Sequence, residues 1–152
     1  MNTSTVEVRP LEARDRTQWG VLWAGYLEFY KEDLPQQITD HLWRQLLNPA
    51  EQPYAFVAVA NGGIVGFVHY HFHLSTWSIA GYCYLEDLFV ASSARGKGAG
   101  RALIEAVYRA ADARGAERVY WQTQNENTQA RVLYDKIATL SPFVQYRRRD
   151  SE

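Results

Sequence analysis

The run Arg95-Gly96-Lys97-Gly98-Ala99-Gly100-Arg101 carries the densest chemical signal in the chain. It follows an apolar run ending at Val90 and precedes a periodic segment beginning at Leu103. A glycine-rich loop that opens a helix is an anion site. The first helical N–H groups lack intrahelical acceptors and carry partial positive charge. Glycines let the backbone approach phosphate oxygens closely. Arg95, Lys97 and Arg101 add formal charge. The loop is not a Walker loop, because Gly98 rather than Ser or Thr follows Lys97, and it is not the dinucleotide fingerprint, because Arg101 stands where the last glycine should. A flexible basic turn is the plainer alternative at this point.

Other residues could do chemistry nearby. Glu86-Asp87 interrupts an apolar run, and burying two adjacent carboxylates is costly without partners. Strand neighbours point to opposite faces, so the expectation is that only one of the two faces a given pocket. His69, His71 and His73 alternate and share one strand face. Strand imidazoles can bind zinc, but no Cys or carboxylate completes the set at convincing spacing, and no metal is expected. His69 or His71 could instead line a substrate pocket. Cys83, the lone cysteine, excludes an internal disulfide and reads as a small core residue rather than a nucleophile.

These residues need elements to position them. Residues 6–10 alternate and read as a first strand. Trp19, Leu22, Trp23, Tyr26, Leu27 and Tyr30 form one face of a helix, with Asp15 as its expected N-cap and Pro35 just past its end. Its acidic end (Glu28, Glu32, Asp33) could attract a cationic amine, though a solvated helix end is the simpler account. Leu42, Trp43, Leu46 and Leu47 mark a second helix, closed by Asn48-Pro49. Residues 54–60 and 64–74 are paired strands about the turn Asn61-Gly62-Gly63, and 82–90 is the next strand. Leu103, Ile104, Val107, Tyr108 and Ala111 define a helix that Gly115 stops. Residues 118–123 form a strand. Asn127 is the expected cap of a helix carrying Ala130, Leu133, Tyr134 and Ile137, and 143–147 is a last strand. The order β-α-α-β-β-β-α-β-α-β is a mixed α/β fold, expected as a single domain over 1–152.

Composition agrees. The chain has 152 residues, 47% hydrophobic and 14% aromatic, which excludes intrinsic disorder. No apolar run reaches the ~18 residues of a membrane span. Residues 1–5 lack the basic-then-apolar pattern of a secretory signal, so a cytoplasmic location is expected. Net charge is −1, divided as −3 over 1–76 and +2 over 77–152. That balance argues against nucleic acid, and the short Arg147-Arg148-Arg149 tail does not change it.

Arg95 to Gly100 resembles the Arg/Gln-x-x-Gly-x-Gly/Ala signature of the GNAT superfamily of N-acetyltransferases. Tyr84-Leu85-Glu86-Asp87-Leu88-Phe89-Val90 resembles that family's central strand. Val119-Tyr120-Trp121-Gln122-Thr123 through Asn127, Ala130, Leu133, Tyr134 and Lys136 resembles its second motif. The likeness covers about residues 54–149, while the first ~50 residues match only in element order. Leu85-Glu86-Asp87 and the Asn127/Tyr134 spacing are similar to the spermidine/spermine acetyltransferase-like group. Residues 119–123, Leu133-Tyr134-x-Lys136 and Tyr146-Arg147-Arg148 are nearer to the fungal histone/polyamine acetyltransferase-like group and its bacterial relatives. One departure is Ile137-Ala138-Thr139-Leu140, where many members carry Gly-Phe.

The resemblance implies an acetyl-CoA-dependent N-acetyltransferase acting on a primary amine by direct attack in a ternary complex. Arg95, Gly96, Lys97, Gly98, Ala99, Gly100 and Arg101 would hold the pyrophosphate of coenzyme A. The backbone of Leu88, Phe89 and Val90 would pair with the pantetheine arm, joined by Asn127. Tyr134 would be the general acid for the departing thiolate; periodicity alone makes it a face residue of its helix. Glu86 would be the general base. Lys136 either reaches a phosphate or is solvated. The acceptor would be a small-molecule or peptide amine, and the resemblance implies a homodimer joined through C-terminal strands. A coenzyme A-binding sensor or partner-binding module without transferase activity is the alternative.

Overall fold

The computed structural model describes residues 5–150; Met1–Ser4 and the last two residues lie outside them. The chain divides into two compact units, the first ending at Gln122 and the second beginning at Thr123. The first unit holds β1 (Glu7–Pro10), α1 (Arg16–Phe29), α2 (Gln36–Leu47), β2 (Tyr54–Ala60), β3 (Gly63–His73), β4 (Tyr82–Val90), α3 (Ala99–Arg114) and β5 (Val119–Tyr120). The second holds α4 (Thr128–Ile137). The five strands form one mixed sheet in chain order, antiparallel from β1 to β4 and parallel between β4 and β5.

The bounds expected for β2 and β4 match, because each is a branched and aromatic run between turn residues. β3 is displaced by one residue from the expected 64–74. β5 is shorter than expected, two residues instead of 118–123. The expected strand at 143–147 is absent: that segment has no regular structure, and Phe143, Val144 and Tyr146 are exposed. A β pattern becomes a strand only where a neighbouring strand completes its ladder; here the Phe143 N–H donates to Ser141 Oγ at 3.1 Å instead.

α1 lays its aromatic stripe on one sheet face. Trp19, Leu22 and Trp23 are buried with Val57 and Phe67. Trp19 packs on Trp43 of α2, with ring centroids 5.0 Å apart, and Trp23 packs on Phe67 at 6.0 Å. Pro35 is the residue before α2 rather than the stop of α1, which ends earlier at Phe29 with Tyr30 as its C-cap. Asp15 occupies the N-cap position of α1, but its side chain makes no capping bond to that helix. Arg9 takes both of its oxygens at 2.8 and 2.9 Å, and the Glu12 N–H takes one at 2.8 Å. The guanidinium holds the Asp15 carboxyl below its ordinary value, against the opposing effect of burial.

α3 covers the other face through Leu103, Ile104, Val107 and Ala111, all fully buried. Burying each of the leucine, isoleucine and valine side chains contributes about 1.5–3 kcal/mol. Gly115 ends α3 at φ 73°, as its type predicts.

Candidate active site

The loop after β4 is built as an anion cradle. A single 3₁₀ turn, Ser92–Ala94, leads into it, and α3 starts at Ala99. Gly96 and Gly98 adopt φ 79° and 87°, with nothing within 4 Å of where a Cβ would stand. Gly98 has no side chain to cap the first N–H groups of α3. Arg95, Gly96, Lys97, Gly98 and Arg101 are exposed; Ala99 is buried and Gly100 half-buried. Two cations are tethered. Arg95 Nε donates to the Val90 carbonyl at 3.1 Å, and Arg101 Nε donates to Glu105 at 2.8 Å. Each guanidinium keeps further donors in its fork. The loop therefore offers open glycine backbone and three exposed cations at the start of a helix.

β4 leads from this loop along a one-sided edge. It pairs with β5 only at Cys83↔Val119 and Tyr84↔Tyr120. From there to Val90, including Leu88 and Phe89, no strand lies on that side among the described residues. An extended ligand arm can pair with such an edge.

A β-bulge sits in the middle of β4. His69 pairs with Asp87 and Tyr70 pairs with Leu85, which leaves Glu86 as the extra residue. The expectation that Glu86 and Asp87 face opposite ways is overturned, because a bulge switches the alternation. Before it, Tyr82, Tyr84 and Glu86 share the face of His71 and His73: the His71–Tyr84 ring centroids are 5.5 Å apart, and Glu86 Oε1 is 3.3 Å from His71 Nε2. After it, Asp87 and Phe89 share the same face with His69 and Phe67.

The two carboxylates have different surroundings. The Glu86 side chain is 53% exposed, whereas that of Asp87 is 15% exposed and fully engaged. Tyr26 Oη donates to Asp87 Oδ1 at 2.5 Å, and His69 Nδ1 lies 3.0 Å from Oδ2. Burial and the Asp87 carboxylate push the Tyr26 phenol well above its ordinary value. His69 is 1% exposed, so it is not a substrate-pocket residue. Among the described residues, no group of three or more His, Cys, Asp or Glu is placed to hold a metal ion. Cys83 is fully buried, and burial pushes its thiol up to about 11, which makes it a core residue and a poor nucleophile.

The second unit carries the remaining expected residues. Tyr134 lies half-buried on α4, and Lys136 is exposed in its last turn. Asn127 holds the N-cap position without a capping side-chain bond; its Nδ2 donates to Thr123 Oγ1 at 3.1 Å instead.

Comparison with known proteins decides the family. Residues 19–138 match the acetyltransferase (GNAT) family model. The chain is 35% identical over 150 residues to the D-amino-acid N-acetyltransferase HPA3 of Saccharomyces cerevisiae, covering 97% of this chain and 93% of that one. The chain belongs to the GNAT acetyltransferase family. This acetyltransferase is also 30% identical over 131 residues to the uncharacterized N-acetyltransferase YhfO of Bacillus subtilis, covering 86% and 87% of the two chains. Among solved structures, a ribosomal-protein-alanine N-acetyltransferase from Brucella melitensis biovar Abortus 2308 superposes with a TM-score of 0.80 at 25% identity, covering 96% of this chain and 99% of that one. The aminoglycoside acetyltransferase AAC(6')-Iy, solved with a bisubstrate analogue of coenzyme A, shares the fold at TM-score 0.83 and 21% identity, covering 97% and 100%.

The residues of this acetyltransferase that sequence reasoning missed are the partners of its carboxylates. Trp19 and Tyr26 read only as a helix stripe, yet their polar tips reach His69 and Asp87. The available signal was two adjacent acids on a strand opposite an apolar helix face that ends in an indole and a phenol.

Proposed function

We propose that this acetyltransferase moves the acetyl group of acetyl-CoA to a primary amine by direct attack in a ternary complex. The observation that carries the reading is the single strand β4, which joins an anion cradle at its C-terminal end to an exposed carboxylate at its bulge. The loop from Arg95 to Arg101 holds the pyrophosphate, the β4 edge from Leu88 to Val90 holds the pantetheine arm, and Asn127 adds an amide. Glu86 accepts the proton that makes the amine nucleophilic, directly or through a water. The new C–N bond forms as the C–S bond breaks, the Tyr134 hydroxyl donates its proton to the departing thiolate, and the proton that the attacking nitrogen sheds to become the amide returns to Tyr134 through water. No covalent enzyme intermediate is formed.

The acceptor is a small-molecule or peptide amine. The yeast relative is named for D-amino acids, which supports including both enantiomers among the candidates. His71 and Tyr84 flank Glu86 and form the wall of the acceptor side. The whole chain, 1–152, works as one acetyltransferase domain in the cytoplasm. It forms a homodimer in which 143–147 pairs as a strand, since no strand among the described residues pairs with it; the exposed Phe143, Val144 and Tyr146 support this.

The test is release of free coenzyme A thiol from acetyl-CoA across polyamines, L- and D-amino acids, aminoglycosides and basic peptides. Tyr134→Phe is expected to lower turnover at least tenfold with acetyl-CoA affinity preserved. Unchanged turnover would remove the acid role. A thermal shift with acetyl-CoA but no product from any amine would favour a binding module.

A further inference from the structure

His69 is a histidine enclosed by aromatic rings. Trp19, Trp23 and Phe67 surround it, with centroids at 6.0, 5.4 and 4.6 Å. Among the described residues, only Asp15 shares with it the condition of a buried polar or charged side chain. Such a group is costly to bury unless every polar atom is paired. Both ring nitrogens are. The Trp19 indole Nε1 is 3.2 Å from Nε2, and Asp87 Oδ2 is 3.0 Å from Nδ1. An indole N–H can only donate, so Nε2 must accept and Nδ1 must carry the ring proton. The donor chain therefore runs one way, from Trp19 to His69 to Asp87, and Tyr26 supplies a second donor to the same carboxylate.

The chain ends at the bulge. Asp87 is the first residue after the extra Glu86, and it pairs with His69 across the ladder. In a strand that continued the alternation of Tyr82 and Tyr84 without a bulge, residue 86 would stand opposite His69 and residue 87 would turn away to the other face. Holding Asp87 opposite His69 keeps Glu86 as the extra residue, exposed beside His71.

Resting on the transferase reading above, we propose that His69 is a positioning residue. Locked by the Trp19 indole as its Nδ1–H tautomer, it clamps Asp87 together with Tyr26 and so aims Glu86 at the reacting amine. It touches neither substrate, and Asp87, with both oxygens occupied, is an anchor rather than a second base.

The test uses the full chain and three variants. His69→Asn keeps an amide N–H at the Nδ1 position for Asp87. His69→Gln places its amide at the Nε2 position and leaves Asp87 without that donor. Tyr26→Phe removes one hydroxyl and keeps the ring. Folding is checked by circular dichroism and thermal unfolding. His69→Gln and Tyr26→Phe are expected to lower kcat at least tenfold, with the KM for acetyl-CoA within twofold of wild type. His69→Asn is expected to retain several-fold more kcat than His69→Gln. Nitrogen NMR of the wild-type imidazole is expected to show a protonated Nδ1 and an accepting Nε2. A folded His69→Gln or Tyr26→Phe with wild-type kcat, or a wild-type ring protonated at Nε2 instead, overturns the proposal. If wild type acetylates no amine, the transferase reading fails, and the ring signal still decides whether the clamp exists.

Discussion

Gly98→Ala separates the cost of backbone strain from the loss of a phosphate cradle. Gly98 sits at φ 87° with open space around its would-be Cβ, so alanine meets no clash and only the left-handed penalty remains. That penalty is about 1–2 kcal/mol, and at about 2–4 °C per kcal/mol for a chain of this size it lowers Tm by about 2–8 °C. Gly115→Ala is the control. It lies at the other end of the same 16-residue helix, at φ 73°, where the nearest atom to a Cβ is 3.9 Å away. Both variants are expected to lose similar stability without ligand. With acetyl-CoA they diverge. At a hundred times its Kd, a ligand stabilises the folded chain by about 2.7 kcal/mol. A methyl group in the cradle that weakens binding tenfold cuts this to about 1.4 kcal/mol at the same concentration. Scanning calorimetry with and without acetyl-CoA reads the difference directly. The ligand-induced rise in Tm is expected to halve in Gly98→Ala and to stay at the wild-type value in Gly115→Ala. Equal rises in both would mean that the loop does not hold the phosphates closely.

Other predictions follow from the carboxylates and the thiol. Glu86→Gln, at an exposed position, is expected to fold normally and to lower kcat by about 10²–10⁴; a folded variant at wild-type rate in the thiol-release assay would remove Glu86 as the base. Asp15→Asn takes the paired carboxylate from Arg9, which keeps the Pro10 carbonyl at 3.0 Å and Glu12 at 3.9 Å, and is expected to cost about 1.5–3 kcal/mol near pH 7. The folded-state carboxyl of Asp15 is held below its ordinary value, so the stability it contributes is full above about pH 4 and falls as pH drops through the depressed value. Urea unfolding at pH 7 and pH 3 should show the gap to wild type shrinking, and a constant gap would count against the pair. Cys83, its thiol pushed up to about 11 by burial, is expected to resist iodoacetamide at pH 8 until the chain unfolds; rapid stoichiometric labelling of folded protein would contradict its place in the core.

Local pattern and tertiary context divided the fold between them. The buried stripe of α3 and its stop at Gly115 are legible because helical periodicity and a left-handed cap are local properties. The conformation of the Arg95–Arg101 loop is legible for the same reason: glycines just before a helix mark left-handed turns, and Gly96 and Gly98 adopt them. The bulge is not local. It shows only when β4 is set against β3, where His69 faces Asp87 and Tyr70 faces Leu85. Asp15 and Asn127 had the right type and position for capping, but Arg9 and Thr123 compete for their side chains. Arg9 lies six residues from Asp15, beyond the reach of a capping pattern. Residues 143–147 show the opposite limit, since a local β pattern makes no strand without a ladder partner.

The nine residues of β4 meet three demands that conflict in an ordinary strand. Cys83 and Leu85, buried at 0% and 2% exposure, need a regular alternation toward the interior. The Glu86 carboxylate needs the opposite face and water. The Leu88 to Val90 edge needs to be free of a neighbouring strand. One extra residue reconciles them: the alternation that serves the core up to Leu85 is shifted by one at Glu86, so Asp87 enters the aromatic core beneath α1. The cost of placing a carboxylate there is met by two donors, Tyr26 and His69, and the second is itself oriented by Trp19. The polar groups buried under α1 are thus explained by the exposed one beside them. Removing the clamp while leaving Glu86 in place should disable the strand's chemistry without emptying the anion cradle at its end.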